Sequence, residues 1–225
     1  MLKTNHTYAI IWDMDGVLVN TGEYHYQAWK QTFDELDVPF SKKQFRETFG
    51  MNNAGILEII CGEKLPAEQE GKISEHKEEL FREAVKGKAK LLPGVEMALK
   101  NFSEWNLKQA IASSAPPKNI VVLVKELEIG KYFDATVSGF DIPGKPDPSV
   151  FLKTARQLKV EPERCVIIED AVAGVEGANR AGMKCIAVTT TNTTEALSKA
   201  DLTFDSLEEL TQHTLFELFE KSTAA

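Results

Sequence analysis

Cysteine is scarce in this chain of 225 residues. Its three cysteines, Cys61, Cys165 and Cys185, lie far apart and never form a CxxC pair, so neither a disulfide framework nor a zinc site of the usual spacing is signalled. An odd, scattered set of thiols fits a reducing compartment, and a cytoplasmic location is expected. Long apolar runs are missing as well. The first, Tyr8 to Trp12, is cut off by Asp13, and no other approaches the ~18 residues a bilayer span needs, so no membrane partner is expected. Positive charge is in deficit: 26 Lys and Arg against 34 Asp and Glu give a net charge of −8. A surface of that sign repels a phosphate backbone, which argues against nucleic acid as a partner.

What remains is ordinary globular composition, 43% hydrophobic and 27% charged, enough to bury a core without help. YAIIW at Tyr8 to Trp12 reads as a strand buried on both faces, ending in DMDG. From Gly22 to about Lys90 the chain is rich in Glu, Lys and Gln and predicts several helices, including Glu23 to Leu36 and Ala67 to Val85. Beyond Pro93-Gly94 short apolar runs at Lys108 to Ala112, Ala135 to Ser138, Cys165 to Ile168 and Lys184 to Val188 alternate with helical patterns. Strands alternating with helices imply βαβ crossovers. The predicted fold is α/β: a Rossmann-like, doubly wound parallel sheet in residues 1–19 and 92–225, interrupted by an inserted α-helical domain in residues 20–91.

In open parallel sheets the chemistry lies beyond the carboxyl ends of the strands. Four groups fall there: Asp13 and Asp15, Ser113 and Ser114, Lys145 in GKPDP, and Glu169 with Asp170. Each alone has a plain structural reading. DMDG can be a polar turn, the serines helix caps, Lys145 a solvated lysine, and Glu169 and Asp170 first-turn acids. Together they are harder to dismiss, because several carboxylates at one edge raise one another's pKa and call for a cation. Oxygen ligands, a lysine and small hydroxyls describe a site for Mg²⁺ and a phosphoryl group. Asp13 is then the natural nucleophile and Asp15 the acid and base. Gly16 lets backbone amides approach the phosphate, Ser113 and Lys145 bind it, and Asp170 completes a metal site with Asp13 and the Asp15 carbonyl.

DMDGVLVN from Asp13, AIASS ending at Ser114, GKPDP around Lys145 and VIIEDAVAGVEGA from Val166 resemble, in order, the four motifs of the haloacid dehalogenase superfamily of phosphohydrolases. The resemblance spans nearly the whole chain. It implies an aspartyl-phosphate on Asp13, general acid/base work by Asp15, phosphate ligation by Ser113, Ser114 and Lys145, and Mg²⁺ held by Asp13, Asp15 and Asp170. Glu169 either binds that metal or orients a group that does. The inserted helices resemble the small helical cap of one subgroup, and GEYHYQAW from Gly22 is similar to β-phosphoglucomutases. By that likeness His25, Trp29, Asn53 and Lys77 are cap residues at the substrate. Two positions depart from the pattern: Asn20 stands where relatives carry aspartate, and Asn53 where the mutases carry an arginine for the second phosphate. The expected activity is therefore a Mg²⁺-dependent phosphatase for a small phosphorylated metabolite such as a sugar phosphate, acting as a monomer. The alternative is β-phosphoglucomutase chemistry at the same aspartate.

Overall fold

The computed structural model describes residues 7–48 and 51–222. Six strands, β1 (Ala9–Trp12), β2 (Lys108–Ser113), β3 (Ala135–Ser138), β4 (Cys165–Glu169), β5 (Lys184–Val188) and β6 (Leu202–Phe204), form one sheet in the order β3-β2-β1-β4-β5-β6. Every pairing is parallel. β1 sits in the middle, with Trp12 opposite Ile111 on one side and Ile168 on the other. A central strand covered on both faces has no solvent side, which is why its sequence is apolar without alternation.

Alternate β1 residues face different helices. Ala9 and Ile11 belong to a core with Phe151 of α7 (Ser149–Leu158) and Val175 and Ala178 of α8 (Val172–Arg180). On the other face Trp12 packs on Phe102 of α5 (Val95–Glu104), 5.6 Å between ring centres, and Tyr8 packs on Phe219 of α9 (Gln212–Ser222) at 4.8 Å. Burying each such side chain contributes about 1.5–3 kcal/mol. One polar residue shares that second face. Gln109 accepts from Trp12 Nε1 at 3.1 Å and donates to Leu99 O and Ser103 Oγ of α5 at 2.9 and 3.0 Å, so its burial leaves no amide atom without a partner. α6 (Pro117–Glu126) completes the helices of this unit. Two elements, β6 and α9, are additions to the sequence reading. β6 is three residues long and only half-buried, so it lacks the apolar run by which the other strands are recognised.

By internal contacts the chain divides into two compact units, one of the described residues up to Asn20 and from Lys90 onward, the other Thr21–Ala89. The second unit is all helical: α1 (Gly22–Glu35), α2 (Lys42–Thr48), α3 (Asn53–Cys61) and α4 (Ala67–Val85). Its core is aromatic, with Trp29 stacked on Phe33 at 5.2 Å and Phe33 against Phe40 at 4.8 Å. In the first unit the two strands of chain that flank the insert are paired, since Val19 bridges Leu91 and Leu92 N donates to Leu18 O at 3.0 Å. Among the described residues no helix is long and apolar enough to cross a membrane.

Candidate active site

The segment after β1 turns sharply. Met14 O accepts from Leu18 N and Val19 N at 3.0 and 3.2 Å, Gly16 N donates to Val19 O at 2.8 Å, and Gly16 takes φ +88°. A side chain there would be strained and would also overlap the Asp170 carboxylate. Glycine is thus required twice over, and Asp13 is left at the sheet edge with its N–H donated to Ile168 O at 3.0 Å.

Four of the expected residues come together in the structure. Lys145 Nζ lies 2.5 Å from Asp13 Oδ1 and 2.5 Å from Glu169 Oε1, and it sits over the Phe151 ring at 5.0 Å. Its side chain is 10% exposed, which removes the solvated-lysine reading. The other Glu169 oxygen accepts from Asp170 N and Ala171 N at 2.9 and 3.0 Å, so this carboxylate is fully engaged within the protein. Gly174 makes the space for it: a Cβ there would fall on the Glu169 carboxylate. Oxygens of Asp13, Glu169 and Asp170, all buried, lie within 4.8 Å of one another.

One ammonium among three acids is too little. Burial first, and then the charges of Glu169, Asp170 and Asp15, raise the Asp13 pKa well above the usual carboxylate range despite Lys145. Burial and Glu169 push Asp170 up to about 7. For Lys145 burial opposes the charge, but Asp13 and Glu169 outweigh it and hold the lysine protonated. Both directions follow from the same imbalance: the lysine keeps its proton, and the acids are left short of positive charge.

Ser113 ends β2, buried, and its Oγ accepts from Ala115 N at 3.1 Å. The loop behind it is braced by Ser138 Oγ donating to Ala115 O at 2.7 Å. Neither Ser113 nor Ser114 caps α6, whose N-terminus carries no side-chain cap, and Ser114 is exposed. Asp15 is partly buried and its backbone bridges Val19. Two residues at this edge were missed in the sequence. Thr191 and Asn192 follow β5 and bond to Asp170, and they belong to a threonine-rich run lining an open cavity of about 570 Å³. Their position after a strand was the signal; turn-like composition hid it.

The profile of the haloacid dehalogenase-like hydrolases matches residues 10–188. The chain belongs to that family. A phosphorylated carbohydrates phosphatase of Thermotoga maritima is 32% identical over 184 residues, 79% of this chain and 83% of that protein. The β-phosphoglucomutase of Bacillus subtilis is 31% identical over 221 residues, 95% of this chain and 96% of that one. Among solved structures, a HAD hydrolase of family IA from Entamoeba histolytica superposes with a TM-score of 0.88 at 25% identity, covering 95% of this chain and 100% of that chain.

In the helical unit of this haloacid dehalogenase-like hydrolase, the four residues expected to meet substrate form one cluster with a fifth. Lys77 Nζ is 2.8 Å from Glu78 Oε1 and 3.0 Å from His25 Nδ1, over the Trp29 ring at 5.1 Å. Asn53 Nδ2 donates to the same Glu78 oxygen at 2.9 Å. His25 stacks on Phe81 at 4.0 Å, and burial together with Lys77 lowers its pKa well below the ordinary value, keeping the ring neutral. Trp29 is 1% exposed and belongs to the aromatic core, so packing already accounts for it. Glu78 was not anticipated; as the neighbour of Lys77 in an acidic helix, nothing in its sequence context set it apart.

Proposed function

We propose that this hydrolase is a Mg²⁺-dependent phosphatase of a small phosphorylated metabolite, in the class of sugar phosphates, working through an aspartyl-phosphate on Asp13. The observation that carries the reading is Lys145 shared between Asp13 and Glu169, with Asp170 alongside. The donor set fits a hard divalent cation: buried carboxylate oxygens, close together, with pKa values forced upward for want of positive charge. Asp13, Asp170 and the Asp15 carbonyl would hold it, and Glu169, committed to Lys145 and two amides, would support it from behind. Bound there, Mg²⁺ supplies charge to the transferring phosphoryl oxygens.

The chain's own groups perform the transfer. The Asp13 carboxylate attacks phosphorus as the bond to the leaving oxygen breaks, and Asp15 gives that oxygen its proton. Asp15 then takes a proton from water, which attacks the acyl phosphate, releases inorganic phosphate and restores Asp13. Ser113, whose Oγ accepts from Ala115 N, can turn its own O–H toward a phosphate oxygen, and Lys145 offsets the remaining charge.

Hydrolysis is favoured over phosphoryl return by the helical unit. A mutase needs fixed positive charge for a second phosphate, for which an arginine fork is best suited. Here Asn53 is neutral and bonded to Glu78, Lys77 is matched by that same carboxylate, and His25 is neutral. The relatives carry both names, phosphatase and β-phosphoglucomutase. A panel of phosphorylated metabolites with Mg²⁺, including β-glucose 1-phosphate with a trace of the 1,6-bisphosphate, decides between them. Phosphate release, abolished by EDTA, is expected. Glucose 6-phosphate accumulating faster than phosphate would establish the mutase instead, and full activity in EDTA would refute the metal.

A further inference from the structure

Asp170 is tied down from a direction that the proposed chemistry does not use. Its carboxylate Oδ2 accepts from the Thr191 hydroxyl. Its backbone carbonyl accepts from Thr191 Oγ1 at 3.2 Å and from Asn192 Nδ2 at 3.0 Å. Asn192 Nδ2 also lies 3.1 Å from Thr191 Oγ1, to which it donates. A hydroxyl has one proton and two lone pairs, so an amide donating to it commits the oxygen as acceptor and leaves the proton for Asp170. Between carbonyl and carboxylate, the charged oxygen is the stronger acceptor. The same oxygen fills the space left by the missing Gly16 Cβ.

We infer that Thr191, oriented by Asn192, is a positioning residue that fixes the Asp170 carboxylate for a divalent cation. The inference rests on the reading of Asp170 as a Mg²⁺ ligand. A hydroxyl bonded to one carboxylate oxygen resists rotation about the last bond, so the other oxygen favours one direction before any ion arrives. Thr191 contributes nothing comparable to the core, since it is exposed on the loop after β5. Its effect therefore falls chiefly on metal affinity.

Direct Mn²⁺ binding, read as loss of the free-ion electron paramagnetic signal without substrate, tests this in the wild type, Thr191→Val, Thr191→Ala, Thr191→Ser and Asp170→Asn. Partners of this kind are worth about 10- to 100-fold in metal affinity, so Thr191→Val and Thr191→Ala should bind Mn²⁺ weaker by that factor and Thr191→Ser within about threefold of wild type. Melting temperatures in EDTA should stay within a few degrees of the wild type's. The Mg²⁺ needed for half-maximal turnover should rise in step, with kcat recovered at saturation. Asn192→Leu should shift affinity in the same direction by less. If the wild type binds Mn²⁺, Asp170→Asn does not, and both Thr191→Val and Thr191→Ala bind as tightly as wild type, the inference is wrong and the metal reading stands. A wild type that binds no Mn²⁺ overturns the metal reading, and the inference with it.

Discussion

Replacing Asp170 with asparagine is expected to stabilise the metal-free protein, and increasingly so as pH rises. Burial, followed by the Glu169 charge, raises this carboxyl from 3.8 to about 7, against lowering by the Thr191 hydroxyl and Lys145. A carboxyl with a higher pKa folded than unfolded holds its proton more tightly in the native state. The stability that goes with this is fully present below the unfolded pKa and is lost as pH climbs through the folded one, here between about 4 and about 7. A rise of about three pH units at about 1.4 kcal/mol apiece comes to about 4 kcal/mol. Asparagine keeps the shape and an acceptor for Thr191 but has no charge to ionise. In EDTA its advantage over wild type should grow from about 2 kcal/mol near pH ~5 to about 4 kcal/mol near pH ~8. Urea unfolding followed by tryptophan fluorescence measures both. On the reading of Asp170 as a Mg²⁺ ligand, Mg²⁺ at about 100 times its Kd should add about 2.7 kcal/mol to the wild type alone and so close most of that gap. A variant less stable than wild type in EDTA near pH ~8, or a gap that ignores pH, would show that the clustered acids carry no strain.

Asp13→Asn removes the carboxylate proposed to attack phosphorus and keeps its outline, so steady-state phosphate release should fall below about 1% of wild type while circular dichroism is unchanged. Gly94→Ala tests the scaffold: the new Cβ would stand 2.5 Å from Glu208 N and 2.7 Å from Leu207 C, at φ +78°. Because the obstruction is backbone, a loss of about 1–3 kcal/mol or more in urea unfolding is expected, and a neutral result would mean that the Leu207–Glu209 turn yields easily.

The sheet was legible in the sequence where its strands are apolar throughout. Ala9–Trp12 and Cys165–Glu169 are buried at every position, and the same burial places the residues that follow them at one edge. β6 is half-buried along its whole length and carries no such mark. Asp13, Lys145, Glu169 and Asp170 could be grouped because each follows a strand or sits in a Gly/Pro turn between elements. Thr191 and Asn192 follow β5 in the same way, but threonines in a row signal a loop as readily as a site, and only the bonds to Asp170 separate the two. The pairing of Lys77 with Glu78 was out of reach for another reason. Adjacent helix residues point about 100° apart on average, and only long side chains reaching toward a common neighbour, here His25 and Asn53, bring their ends together.

The central place of β1 also has a bearing on synthesis. Ala9 pairs with Lys108 on one side and with Cys165 on the other, so β1 waits for most of the chain before both of its flanks are covered. At about 5–20 residues per second, the chain up to its second partner takes roughly 10–30 s to appear. Until Lys108–Ser113 appears this continuous apolar strand has no neighbour, and until Cys165–Glu169 appears it has one, while Thr21–Ala89, a compact unit by its internal contacts, is complete before either. The cluster of Asp13, Lys145, Glu169 and Asp170 thus comes together only once β1 and β4 are both in place.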